Sequence, residues 1–330
     1  MTMTATTLPD FLAAIEHGLG FTPEDSLVAV AVRTEGALGV HVRLDAAPSL
    51  AHPAAAARWA IGHARTGTRC EGIIAALYTH APADEAERLL RAVAREAETL
   101  GLTVHLAFHV GAHGWTELRH QAAGTRQQAK DSALYAQLVF EGSVVRRMEP
   151  EDVPFAGPDD AAARIEAAAP DTPYEAAAEW TALLDSGRHP VGSEAFRILA
   201  NLKAGMPRDF MIAATAGDLP AEGTAAAGDR LVGLLLGRTG ARPDWARIDR
   251  AENVLGCLLA EAPDGHRAGA LTFLGWIAWY RGTSSAALTW FARAEQDSPG
   301  YRLAALLTRL IGQGELPEVA KDPGIAYHRR

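Results

Sequence analysis

Gly18-Leu19-Gly20-Phe21-Thr22-Pro23-Glu24-Asp25-Ser26-Leu27-Val28 is the stretch from which the fold can be worked outward. A helix has to stop at the two glycines, either of which can take the left-handed C-terminal cap without steric cost. Pro23 sets a turn, and Asp25 or Ser26 can close it with side-chain hydrogen bonds. Leu27-Val28-Ala29-Val30-Ala31-Val32 then runs without a polar residue, the pattern of a strand covered on both faces. Upstream, Leu8–His17 reads as a helix, with Pro9 in its first turn and Phe11, Leu12 and Ile15 on one apolar face. Gly18-x-Gly20 is not a dinucleotide fingerprint, because Pro23 stands where the third glycine belongs and the stretch precedes a strand.

Downstream, Gly39–Asp45 alternates strictly. Val40, Val42 and Leu44 fall on one side and His41 and Arg43 on the other, which predicts a half-exposed strand in a hairpin with the first. The spacing then predicts a helix over Ser49–Thr66, a third strand over Gly72–Thr79, a helix over Asp84–Leu100 stopped by Gly101, and a fourth strand over Thr103–Val110. Trp115–Arg119 is a candidate fifth strand, Gln127–Phe140 a further helix, and Gly142–Arg147 a short extended piece. Strand–helix–strand units between residues 50 and 110 imply parallel pairing, and the opening hairpin adds an antiparallel pair.

The acid- and proline-rich segment Met148–Asp160 reads as a linker. Beyond it strand patterns vanish, and helical segments follow one another between Gly and Pro residues. The expected fold class is therefore α/β plus all-α: a mixed sheet of four to five strands with packed helices in residues 1–150, then a helical domain in 151–330. Its last helices carry a tetratricopeptide-like signal over 268–301: Leu274-Gly275, Gly282 at the turn, then Ala287, Phe291, Ala294 and Pro299. Shifting back by one repeat finds no second copy, and a stable solenoid wants about three repeats.

The chain has 330 residues and a net charge of −9, with 48% hydrophobic and 22% charged residues. That size suits two domains, the composition suits a folded chain, and the charge disfavours nucleic acid or an anionic membrane as partner. The two cysteines, Cys70 and Cys257, make neither a disulfide framework nor a zinc set. Met1–Pro9 lacks a signal-peptide pattern. The longest apolar run, Ala268–Tyr280, falls short of the ~20 residues a membrane span needs. A cytoplasmic location is expected. His328-Arg329-Arg330 reads as a frayed end.

No G-x4-G-K-[ST], H-E-x-x-H, G-x-S-x-G or C-x-x-C occurs, so the strong catalytic motifs are missing and the reading leans away from an enzyme. No cofactor and no metal is expected: His105 and His109, four strand positions apart at ~3.3 Å each, stand too far apart to share one ion. The best polar set is Asp25, Ser26, Arg43 and Asp45. It is either a turn cap with a strand-edge ion pair or a ligand site with Arg43 as anion clamp and a carboxylate as base. Tyr78, Thr79 and His80 follow the third strand, on the rim where open sheets bind ligands, and are expected on a different rim from Asp25. Arg208-Asp209 after Pro207 reads as the start of a helix, with the carboxylate favouring its dipole. Trp276, Trp279 and Tyr280, at helical spacing, are core residues or, where exposed, a partner-docking patch.

Gly20–Val28, with Arg43-Leu44-Asp45-Ala46-Ala47-Pro48, resembles the start of the bacterial family of unknown function numbered 4192 (DUF4192), which shows LGF-x-P-x-DSLV and then a hairpin ending R-V-D-L-P. Arg208-Asp209 and Trp276–Gly282 resemble its middle and last helices. Many members carry a paired-cysteine loop after a Trp-rich strand; here 114–124 keeps Trp115 but has no cysteine. The resemblance implies an α/β domain plus a helical domain, and no reaction. Two functions follow as expectations. One is a non-enzymatic interaction or regulatory protein docking a protein partner through its helical domain. The other is a small-ligand binder or enzyme acting on an anionic metabolite at the Asp25/Arg43/Asp45 rim.

Overall fold

The structure, a computed structural model, describes residues 5–34, 36–65, 70–143, 145, 152–219, 227–240, 242–322 and 324–327. The chain divides into two compact units that part near residue 148.

The first unit runs α1 (Leu8–Leu19), β1 (Ser26–Arg33), β2 (Leu38–Asp45), α2 (Ala46–Ala51), α3 (Pro53–Ala64), β3 (Cys70–Tyr78), α4 (Ala83–Thr99), β4 (Thr103–Val110), β5 (Trp115–Glu117), β6 (Ala122–Gly124), α5 (Arg126–Lys130) and α6 (Ala133–Phe140). Thr7 and Asp10 form a capping box at the start of α1, and Gly20 ends it at φ 78, its N–H donating to the carbonyls of Glu16 and His17. The sheet order is β2-β1-β3-β4-β5-β6. β1 pairs antiparallel with both β2 and β3, and β3 pairs parallel with β4. β1 is apolar throughout because both faces are covered. Leu27, Ala29 and Ala31 meet a layer built from Ala57, Ile61, Leu89 and Val93 of α3 and α4, while Val28 and Val30 meet Leu12 and Ile15 of α1.

Three expectations differ from the structure. The sheet has six strands, because the small-residue segment Ala122–Gly124 is recruited by register with Trp115–Glu117, which no side-chain pattern announces. β2 is half-exposed as expected, Val42 being its one fully buried residue, and α1 comes close to it at His41. His41 packs so closely on Gly18 of α1 that a Cβ there would stand 2.3 Å from its Nε2. The expected helix over 127–140 is two helices, broken where the Ser132 side chain accepts from the Tyr135 N–H at 3.2 Å. That over 49–66 is also two, with Pro53 opening the second and residue 66 outside the described residues.

The second unit is helical: α7 (Ala161–Ala167), α8 (Pro173–Ser186), α9 (Ser193–Lys203), α10 (Gly205–Ala216), α11 (Ala227–Leu235), α12 (Trp245–Glu261), α13 (Ala268–Tyr280), α14 (Ser284–Asp297), α15 (Arg302–Gly312) and α16 (Glu318–Lys321). α13 is buried on every side, which is why its sequence shows no amphipathic stripe. Gly275 lets α14 approach, since a Cβ there would sit 2.3 Å from the Phe291 ring. Of the linker segment, residues 148–151 lie outside the described residues. From there the chain already belongs to the helical unit, with Ala156 N–H donating to the Ala260 carbonyl at 2.7 Å. The extended piece expected over 142–147 falls largely outside the described residues, and the tail 328–330 wholly so. No helix among the described residues is long and apolar enough to cross a membrane.

Candidate functional site

The antiparallel pairing of β1 with β3 decides where the polar residues gather. Ser26 is in register with Asp45 on one side and with Tyr78 on the other. The amino end of β1 therefore lies on the same rim as the carboxyl ends of β2 and β3. The two rims expected from the sequence are one, because β3 runs antiparallel to β1 and so ends where β1 begins.

Within this rim, Ser26 is fully buried. Its hydroxyl donates to the Glu24 carbonyl at 2.6 Å and accepts from Arg43 Nε at 2.8 Å. Arg43 Nη2 lies 2.7 Å from Asp45 Oδ1, the guanidinium mostly buried and the carboxylate mostly exposed. Ser26, Arg43 and Asp45 thus form one chain of hydrogen bonds tying β1 to β2. Asp25 stands outside it. It takes φ 40, its side chain is exposed, and its carbonyl accepts from the Ala46 N–H at 2.7 Å, which fixes the entry to α2.

Facing the same side of the sheet, Tyr78 is buried, and among the described residues its hydroxyl has no hydrogen-bond partner. Burial pushes its pKa well above the ordinary phenol value, the Glu16 carboxylate adds to this, and Arg126 opposes it. Glu16, also buried, accepts from the Thr22 hydroxyl at 3.1 Å. Burial raises its pKa, against the pull of Thr22, Arg126 and Lys130. Sequence reading missed Glu16. The available signal was its place beside Ile15 in the Leu12–Ile15–Leu19 stripe, a carboxyl where the helix shows its apolar face.

Three imidazoles complete the picture. His41 is held near pKa about 4 by burial, its Nδ1 3.0 Å from the Gly39 carbonyl. Burial also lowers His17 and His109. The described residues contain no group of three or more His, Cys, Asp or Glu able to hold a metal ion. Glu117 is a contrasting buried carboxylate. Burial pushes its pKa up, but N–H donors from Ala107 and His120, each at 2.7 Å, outweigh this and hold it low.

In the helical unit, the residues expected as a docking patch are in the core. Trp276, Trp279 and Tyr280 are each at most 1% exposed. Trp276 stacks on Tyr280 at 4.4 Å, and the two indole N–H groups donate to the carbonyls of Leu235 and Glu315. A partner cannot reach them on the folded unit. Arg208 and Asp209 do not open their helix, which begins at Gly205. Arg208 binds Asp209 Oδ1 and the Tyr301 hydroxyl at 2.7 Å, and that hydroxyl donates to the Leu202 carbonyl, so the pair is a tie between helices.

A cleft of about 590 Å³ opens instead where α12 ends and α13 begins. Val153, Leu259 and Leu271 supply its apolar lining, and Arg267, Thr289 and Gln296 its polar one. Asp297 braces it, accepting from the N–H groups of Gly265, Arg267 and Ala268 at 2.7–2.8 Å at the start of α13. One side is the chain's own segment from Asp152, in neither helix nor strand, held where Arg267 Nη1 donates to the Val153 carbonyl at 3.2 Å and Arg293 meets Asp152 at 3.0 Å.

A family model spanning residues 9–318 matches the chain, under the description "Domain of unknown function (DUF4192)". The chain belongs to this family. The match runs through both units, so the sheet rim and the helical cleft both lie within it. No curated protein and no solved structure matches the chain.

Proposed function

We propose that this DUF4192 member is a non-enzymatic interaction protein of the cytoplasm, whose helical unit docks an extended segment of a protein partner in the cleft beside α13. One observation carries the reading: a stretch of the chain in neither helix nor strand, Asp152 and Val153, already lies along the cleft. The Val153 carbonyl accepts from the Arg267 side chain, the Ala156 N–H next along donates to the Ala260 carbonyl, and Thr289 and Gln296 of α14 line the same cleft. Extended peptides are commonly recognised this way, with main-chain bonds giving affinity and neighbouring pockets giving selectivity. The α13–α14 hairpin, with Gly275 against Phe291, is read as a single tetratricopeptide-like pair that forms one wall. Two free cysteines suit a reducing compartment.

A photo-crosslinker placed at Gln296 in cells should give a defined higher-mass adduct that the same group at exposed Glu98 of α4 does not. Arg293→Glu should weaken it. Equal labelling from both positions, or none from 296, refutes the docking site.

A second reading is favoured by the unpartnered Tyr78 hydroxyl on the rim that Ser26, Arg43 and Asp45 share. Buried polar groups are normally satisfied, and an unpartnered one can mark a place where another molecule supplies the bond. In this reading the α/β unit takes a small anionic metabolite. A thermal-shift panel of phosphorylated and carboxylated compounds should stabilise wild type but not Tyr78→Phe or Arg43→Ala. A panel without a hit sinks it.

A further inference from the structure

Cys257 of α12 has its Sγ 3.5 Å from Nδ1 of His189, which lies in the connection between α8 and α9. Local sequence sets the backbone that presents the ring. Gly187 ends α8 in the left-handed conformation at φ 66. Pro190 follows His189, restricts it towards extended backbone, and is itself buried. His189 remains exposed and Cys257 half-buried, so the thiol sits between a base and solvent. The other cysteine is placed in the opposite way. Cys70 donates its S–H to the Gly72 carbonyl at 3.2 Å, and burial raises its pKa. A thiolate is the reacting form of cysteine, and a neighbouring imidazole can take up the proton as it forms. Neither the cleft nor the sheet rim includes this pair.

We propose that Cys257 is a thiol–disulfide exchange site for low-molecular-weight disulfides, with His189 as its proton acceptor. Cys257 passes its proton to His189 Nδ1, and the thiolate attacks one sulfur of the disulfide. A new S–S bond forms to Cys257 as the old S–S bond breaks. The departing thiolate then takes the proton from His189. The Cys257 sulfur is oxidised, the leaving sulfur is reduced by the same amount, and no further oxidant is needed. The outcome is a reversibly capped thiol on the surface of the helical unit.

The test follows release of the coloured aryl thiolate from 5,5′-dithiobis(2-nitrobenzoate), one per thiol, on the full-length chain. In Cys70→Ser protein, folded Cys257 should react faster than the same thiol in guanidinium chloride. His189→Gln should slow the folded reaction by about tenfold or more, the low end of what a positioned base contributes, while leaving the unfolded rate unchanged. With oxidised glutathione, mass spectrometry should place the mixed disulfide on Cys257 in wild type and remove it in Cys257→Ser. A His189→Gln rate within about twofold of its parent, with native circular dichroism, overturns the proposal. So does a folded Cys257 that reacts no faster than the unfolded thiol, and this second readout decides the matter even where His189→Gln fails to fold.

Discussion

Tyr78 of the α/β unit and Tyr301 of the helical unit are two largely buried phenols in opposite circumstances. Tyr301 accepts from Arg208, donates to the Leu202 carbonyl, and lies under the Arg208 guanidinium at 5.3 Å. Tyr78 has none of this among the described residues. The contrast extends to the surrounding side chains. In the helical unit the indole N–H groups of Trp180, Trp245, Trp276 and Trp279 all donate to named acceptors. Its buried leftovers are the Thr272 hydroxyl and single guanidinium nitrogens, and Arg247 and Arg281 are paired through their other nitrogens. In the α/β unit the leftovers are Arg33 Nε, the Nε2 of His17, His41 and His109, with His17 and His41 bonded through Nδ1 to Ser143 and Gly39, and one whole functional end, the Tyr78 hydroxyl. Helices without a sheet have only side chains to join them, so aromatic residues with a polar end serve as ties. A sheet supplies its own main-chain ladder, so a buried side chain such as Tyr78 is spared that duty even where Ser26, Arg43 and Asp45 add a tie of their own.

The contrast breaks first at Trp276. As a tie at the centre of the helical core, its loss to alanine should cost about 3–5 kcal/mol in urea unfolding, from cavity and lost stacking together. A cost below ~1 kcal/mol would make the aromatic cluster peripheral and reopen a docking role for it.

The next largest effect belongs to pH and to the α/β unit. His41 has an ordinary pKa of 6.5 and is held in the fold at about 4. As pH falls below ~6.5 the unfolded chain takes up this proton before the folded chain does. Stability present at neutral pH is therefore lost progressively between ~6.5 and ~4, with a ceiling of about 3 kcal/mol. His17 and His109, also lowered, act in the same direction. In His41→Gln, unfolding free energy measured across that window should fall less steeply than in wild type. Parallel curves would show that His41 is not the group responsible.

Much of this architecture was legible because the elements are punctuated. Gly20 caps α1, Pro173 opens α8, and α14 begins and ends where the Gly282 and Pro299 signals place it. Sequence pattern failed where a long-range partner decides. β6 is defined by its pairing with β5, where Trp115 stands opposite Gly124 and a Cβ on that glycine would meet the indole at 2.4 Å, and the small β6 residues carry no period. The rim was divided in two for a related reason: hydrophobic pattern says that β3 is buried, not in which direction it runs relative to β1. Arg43 and Ser26 were found from their spacing in a hairpin, since register alone brings them together. The aromatic trio was placed on the right helix, but helical spacing cannot distinguish a covered face from an open one when α13 is apolar all round.

The smallest change tests the contrast most directly, because it is the same chemical edit in each unit. Tyr301→Phe removes a hydroxyl that both donates and accepts, leaving Arg208 and the Leu202 carbonyl short of a partner. It should cost about 1–3 kcal/mol. Tyr78→Phe removes a hydroxyl without a partner among the described residues, so none of them is orphaned and a desolvated group is relieved. The expected change lies within about 1 kcal/mol of zero and leans towards stabilisation. Should Tyr78→Phe instead cost as much as Tyr301→Phe, a bound water or ligand must satisfy that hydroxyl in solution. The sheet rim would then gain weight as a binding site at the expense of the helical cleft. If the two edits differ as expected in the unliganded protein, and a compound then stabilises wild type but not Tyr78→Phe, the spare hydroxyl is a contact kept for that compound rather than a flaw of packing.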